Sequence, residues 1–313
     1  MKLAFVGKGG SGKTTLTGLF IQHLLKENKK LIAIDADINV GLANNLGINI
    51  NDEKFLSKSE NTQNIRHKLI GKNKRINSVS HFVKTTPPGS GSYIIDFEKQ
   101  DFFNEFCSYQ SESLKFFHVG TYRKEEIGVS CYHTHLSILE NIISHTYLKE
   151  DEFMVIDMVA GNDSFSNTLH SQFDGIFLII EPTIESLNMV KGFMDLAHHS
   201  QETSNIIFVG NKIEDKDDLD FIKEYRIELD LYFLYNKNYK KYRRQGEIIG
   251  NDDIKYIFDS LLQYLNKNIK IDRNKKLQNL YNLHKKYLEL DYIKSPLGDL
   301  SEQIDLDFKF PEC

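Results

Sequence analysis

The sequence predicts an α/β fold built on a largely parallel sheet of about seven or eight strands flanked by helices, and three features predict it. Short apolar runs alternate with longer stretches of helical period, the pattern of strands joined by crossover helices. The first apolar run passes directly into a glycine-rich bend and then a helix. Two other runs end in aspartates, so polar groups collect where the strands of such a sheet terminate.

In chain order, residues 3–6, 31–34, 116–119, 153–156, 176–180, 206–209 and 231–234 read as strands. The helix at 13–28 places Leu16, Leu19, Phe20, Leu24 and Leu25 on one stripe that faces the sheet. Residues 49–104 mix Ser, Asn and Lys with the turn-rich run Pro87-Pro88-Gly89-Ser90-Gly91-Ser92, and read as an irregular insertion with short helices. The principal domain is expected at 1–265 and a helical extension at 266–313. In the extension Leu277, Leu280, Tyr281, His284, Tyr287 and Leu288 keep helical spacing, Ser295-Pro296-Leu297-Gly298 breaks it, and an acidic tail follows.

A chain of 313 residues is long enough to bury a large core in one α/β domain. Its net charge of -5 argues against a surface devoted to nucleic acid but leaves room for a local basic patch. Three cysteines, Cys107, Cys131 and Cys313, are too few and too scattered for a disulfide framework and suit a reducing cytosol. The opening apolar run is too short for a signal peptide, and no run approaches the roughly 20 residues of a membrane span, so a cytoplasmic protein is expected.

The bend Gly7-Lys8-Gly9-Gly10-Ser11-Gly12-Lys13-Thr14 matches GxxxxGKT between a predicted strand and a predicted helix, the context in which that motif grips a polyphosphate. Its glycines let backbone N–H groups wrap a phosphate, and the helix start adds partial positive charge. Lys13 would neutralise β and γ oxygens and Thr14 would offer its hydroxyl to Mg²⁺, with Thr15 completing the run. Asp35 and Asp37 follow the second strand; Asp35 reads as a Mg²⁺ ligand or a supporting group, with helix capping as the alternative. Asp157 ends an apolar strand as a magnesium-holding carboxylate must. Asn211, after another strand, carries the donor and acceptor pair that reads an adenine edge. ATP and Mg²⁺ are the expected ligands.

The second lysine of the loop gives KGGxGKT, and the chain thereby resembles the MinD/ParA group of ATPases with a deviant Walker A motif. The resemblance implies that Lys8 crosses a dimer interface to the partner's nucleotide, so that Lys8, Lys13 and Asp37 are catalytic, Asp37 acting on the attacking water. It also implies that the Gly161 N–H approaches the γ-phosphate and that Asn211 contacts adenine. Within the group, Asp35-Ala36-Asp37, Asp157-Met158-Val159-Ala160-Gly161 and Glu181-Pro182-Thr183 resemble the carbon monoxide dehydrogenase maturation ATPases, the CooC branch, over roughly residues 1–265. That branch carries a Cys-x-Cys metal motif, whereas this chain has Ser130-Cys131-Tyr132-His133-Thr134-His135. Cys131 and His133 form a candidate Zn²⁺ or Ni²⁺ site at a dimer axis; the alternative is a buried cysteine beside a helix start.

The family's Ile-Pro-x-Asp adenine turn is here Phe233-Leu234-Tyr235-Asn236, followed by Lys237, Lys240, Lys241, Arg243 and Arg244 interleaved with Tyr239 and Tyr242. This cluster is a candidate nucleic-acid or acidic-partner surface, or a solvated helix face. Three functions follow. The first is an ATP-dependent homodimer that slowly hydrolyses ATP to ADP and serves a client protein, a metalloenzyme, in metallocentre or enzyme maturation. The second is a positioning ATPase on DNA or membrane, and the third a nucleotide-gated scaffold with negligible turnover.

Overall fold

A computed structural model describes residues 1–39, 41–121, 132–161, 168–200, 205–237 and 255–310; of Tyr132, His133, Thr134 and Ser200 it describes the backbone alone. The strands are β1 (Lys2–Gly7), β2 (Lys30–Ala36), β3 (Tyr109–Gln110), β4 (Leu114–His118), β5 (Glu152–Met158), β6 (Gly175–Ile180), β7 (Ile206–Ile213) and β8 (Leu231–Leu234). They form one sheet in the order β3-β4-β2-β5-β1-β6-β7-β8. Every pairing is parallel except β3 with β4. All seven predicted strands are present. The eighth, β3, has two residues and so no period to read.

The helices are α1 (Lys13–Lys26), α2 (Gly41–Asn45), α3 (Ser59–Ile70), α4 (Gln100–Phe106), α5 (Tyr132–Ser144), α6 (Ile184–Ser200), α7 (Lys216–Glu224), α8 (Lys255–Asn268), α9 (Arg273–Leu288) and α10 (Asp291–Leu297). Alternate strand residues point to opposite faces. Leu3, Phe5, Leu31, Ala33, Val155 and Phe177 pack with Leu16, Leu19 and Phe20 of α1 and Phe258 of α8. Ala4, Val6, Ile32, Ile34 and Ile156 pack on the other face with Leu136 and Leu139 of α5 and Val190 of α6. Helix α1 stops at Lys26, short of the predicted 28, because Asn28 turns left-handed (φ 57°) and its N–H closes back on Leu25 O at 3.1 Å.

Residues 49–104 are more regular than their composition suggests. Leu56, Ile65 and Leu69 of the α3 region and Phe102, Phe103 and Phe106 of α4 are buried in the same core as β4 and α5. The predicted stripe on α9 is buried at Leu277, Leu280, Tyr281, His284 and Leu288. The extension docks onto the 49–104 segment: His284 Nδ1 of α9 meets Thr85 Oγ1 at 2.9 Å, and Gln303 Nε2, beyond α10, donates to His81 O at 2.8 Å. In the acidic tail Asp305 is buried, accepts the Ser90 N–H at 2.8 Å and faces Arg75. Among the described residues no helix is long and apolar enough to cross a membrane.

Candidate active site

The register of the parallel strands assembles the site. Across the sheet, His118 of β4 lies beside Asp35 of β2, Asp35 beside Asp157 of β5, and Asp157 beside Phe5 of β1. These positions share parity with Ala33 and Val155, so the two carboxylates emerge on the α1 face. There the bend after β1 delivers Lys13, the first residue of α1. Its Nζ donates to Asp157 Oδ1 at 2.9 Å and Asp37 Oδ2 at 3.3 Å. Burial pulls the Lys13 ammonium toward neutrality, but Asp157 and then Asp37 outweigh it and raise its pKa above the ordinary lysine value.

Burial pushes the Asp157 carboxyl up, with Lys13 opposing. One of its oxygens, Oδ2, is buried without a hydrogen-bond partner among the described residues, and so is Ser11 Oγ. These two oxygens are acceptors that the waters of a hydrated Mg²⁺ satisfy, while Lys13 and the start of α1 offer donors to phosphate oxygens. Asp35 behaves differently. Its Oδ1 accepts the Asp37 N–H at 3.2 Å and its Oδ2 the Leu42 N–H at 3.0 Å, in the first turn of α2. Burial first, then the Asp157 charge, push its carboxyl above the usual carboxylate range. Asp35 therefore shapes the turn that carries Asp37, whose Oδ1 accepts both the Asn39 N–H at 3.0 Å and Asn39 Nδ2 at 2.8 Å. The neighbouring His118 imidazole is fully buried, and burial lowers its pKa to about 4.

The phosphate loop has the backbone its glycines allow. Gly10 and Gly12 are left-handed, at φ 90° and 89°, and Gly12 caps α1 with no side-chain bond and no acidic residue in the first turn, leaving the positive helix end open. A Cβ on Gly7 would meet Ile179 O at 2.8 Å, while Gly9 and Gly10 are exposed. Thr14 and Thr15 are half-buried at the start of α1, and Thr14 O accepts Asn45 Nδ2 at 3.0 Å. Lys8 is half-buried, and its side chain makes no ion pair or hydrogen bond among the described residues.

Strand β7 clamps the loop from the side. Its pairing with β8 slips between Gly210 and Ile213, a bulge in which Lys212 takes φ 61°. The bulge turns two consecutive side chains onto the loop: Asn211 Nδ2 donates to Ser11 O at 2.7 Å and Lys212 Nζ to Gly10 O at 2.7 Å. Lys212 also pairs with Glu181, which follows β6. The Gly161 N–H donates to Gly7 O at 3.0 Å, which sets it against the loop backbone.

The structure thus brings Lys13, Asp35, Asp37, Asp157, Asn211, Gly161 and the loop to one sheet edge. Cys131 lies outside the described residues, as does the side chain of His133, and of the basic run only Lys237 is described. His135 is buried on α5. Asn45, Glu181 and Lys212 were missed as site residues by motif reading. The available signal was the opposite charge of Glu181 and Lys212 at the ends of successive strands.

The match to known proteins agrees with this geometry. Residues 3–271 match the model of the CobQ/CobB/MinD/ParA nucleotide binding domain. An uncharacterized ATP-binding protein of Methanocaldococcus jannaschii is 30% identical over 254 residues, covering 80% of this chain and 90% of the relative. The carbon monoxide dehydrogenase accessory protein CooC of Rhodospirillum rubrum is 26% identical over 231 residues, covering 74% of this chain and 81% of that protein. A ParA family ATPase of Chlorobium tepidum shares the fold at a TM-score of 0.54 and 14% identity, over 79% of this chain and 90% of that one. With the family model matched across residues 3–271, most of the chain, the protein belongs to the CobQ/CobB/MinD/ParA family of P-loop ATPases.

Proposed function

We propose that this ATPase is a nucleotide-driven dimer switch that serves a client in metallocentre or enzyme maturation. The observation that carries the switch reading is the contrast between the two loop lysines. Lys13 is locked between Asp37 and Asp157, whereas the half-buried Lys8 ammonium has no partner in its own subunit among the described residues. A cation presented at a loop surface suits a phosphate approached from outside, which is the role a second copy of the chain would give it. The maturation reading is supported by the likeness to CooC of Rhodospirillum rubrum.

In this reading the loop amides and Lys13 hold the phosphates, while Thr14 and Asp157 hold Mg²⁺, with Asp35 supporting from behind. Mg²⁺ held there would supply charge neutralisation to the phosphates. Asp37 orients and accepts a proton from the attacking water, and Asn211 contacts the base. Closure on ATP and reopening after hydrolysis give two states with different client affinity, and that difference performs the delivery. A site of Cys131 and His133 at the dimer axis, holding Zn²⁺ or Ni²⁺, belongs to the same proposal. Metal analysis before and after Cys131→Ser and His133→Ala tests it, and metal-free wild-type dimer ends it. The membrane-positioning alternative loses its anchor, because the apolar stripe of α9 is buried within the chain.

The test of the switch is sedimentation of Asp37→Ala with ATP and magnesium. A stable dimer is expected, lost in Asp37→Ala combined with Lys8→Gln. A monomer in both refutes the switch. Phosphate release by the wild type that does not exceed that of Lys13→Ala or Asp37→Ala refutes the residue roles.

A further inference from the structure

The sheet edge opposite the phosphate loop holds a second, differently built cavity. Lys2 opens β1, so the cavity stands roughly 20 Å from the loop, at about 3.3 Å per residue of strand. It has a volume of about 50 Å³ and is lined by Lys2, Asp174, Arg273 and Lys276, with Tyr147 and Phe310 among its apolar walls. At roughly 10–15 Å³ for each water-sized group, that is room for one carboxylate or phosphate head.

The charges do not balance. Three cationic side chains and the Met1 amine, which donates to Glu152 O at 2.6 Å, face one carboxylate, and of the side chains only Lys276 reaches it, at 2.7 Å from Asp174 Oδ1. The others rest on backbone carbonyls: Lys2 Nζ donates to Ile143 O at 2.6 Å and Arg273 Nη2 to Leu148 O at 2.8 Å. An ammonium has three donors and a guanidinium five, so each cation retains donors beyond these bonds. Burial lowers Lys2 to about 7, against the pull of Asp174 and with the help of the Lys276 and Arg273 charges. All three side chains are half-buried, and a cluster of cations that outnumbers its carboxylates draws an anion to it. Above the charges, the Arg273 guanidinium lies 4.9 Å from the Tyr147 ring centroid, and Phe310 stacks on Tyr147 at 6.2 Å. The cavity is thus cationic at its base and aromatic at its side.

We propose that this cavity binds the oxyanion head, carboxylate or phosphate, of a small ligand, with Tyr147 and Phe310 covering the group attached to it. No step of the nucleotide reading uses these residues, so the two stand or fall separately.

The test is calorimetric titration of acetate, benzoate and inorganic phosphate into protein saturated with ADP and magnesium, which occupies the phosphate loop, at ionic strength fixed with chloride. Saturable binding in the millimolar range is expected for at least one probe. Benzoate ahead of acetate identifies a carboxylate on an apolar body; phosphate ahead of both identifies a phosphate head. Binding near pH 7.5 takes up protons, seen as a heat that depends on the buffer, because the arriving anion restores charge to Lys2 and to the Met1 amine, which burial lowers to about 6. Arg273→Gln weakens the bound probe at least tenfold, and Arg273→Lys retains it within a few-fold, while ADP affinity is unchanged in both. If neither variant folds, proton uptake by the wild type decides. The proposal is overturned by no saturable heat for any probe up to about 10 mM, by binding without proton uptake, or by binding indifferent to Arg273→Gln.

Discussion

Gly12→Ala is the sharpest probe of how β7 holds the phosphate loop. Gly12 sits at φ 89°, where an alanine costs roughly 1–2 kcal/mol. A Cβ there would stand 2.3 Å from Asn211 Nδ2. The Asn211 amide must swing away, breaking its 2.7 Å bond to Ser11 O at a further cost of about 1 kcal/mol. The single substitution is therefore expected to cost about 2–3 kcal/mol in urea unfolding without nucleotide. Asn211→Ala alone loses the same bond and costs about 1 kcal/mol. In the double variant the clash is gone and the bond is counted once, so the total stays near 2–3 kcal/mol, with a coupling of about 1 kcal/mol between the sites. Purely additive costs would refute the picture of one amide shared between loop and strand.

Lys212→Ala removes the ties to Gly10 O and Glu181 and leaves that carboxylate buried without its cation. ADP affinity by titration should fall about fivefold, for roughly 1 kcal/mol of lost loop order, and a change below twofold rejects the clamp. A third prediction concerns acid. Burial holds His284 at about 4 against its ordinary 6.5, so below pH 6.5 the unfolded chain takes the proton more readily. Stability from this group is complete above that pH and is lost as pH falls toward 4. At pH 5 the loss is about 2 kcal/mol. Stability between pH 7 and 5 should therefore fall more steeply in the wild type than in His284→Gln, and equal slopes exclude the effect.

The strands and the phosphate loop were legible because their signals are contiguous. A strand buried on both faces of a parallel sheet is an unbroken apolar run, as in Phe153-Met154-Val155-Ile156, and the loop is one stretch of chain. What stayed hidden depends on strand order. That Asp35 stands beside Asp157, or that Lys212 reaches Glu181, follows only once β2 is known to pair with β5 and β6 with β7. Residues 49–104 concealed α3 because its exposed face is Ser59, Glu60, Gln63, Asn64 and His67 and only Ile65 and Leu69 are fully buried. Asp305 reads as part of a solvated acidic tail until the fold sets it against the Ser90 amide and Arg75.

The bulge in β7 has a consequence for the order of events on binding. Because Gly10 and Ser11 are tethered by Lys212 and Asn211, the cradle has already surrendered its backbone freedom, worth about 1–2 kcal/mol per residue, before any phosphate arrives. An incoming nucleotide thus meets a finished mould on that side. On the opposite wall the tie among the described residues is the Gly161 N–H on Gly7 O, a backbone bond with no side chain behind it.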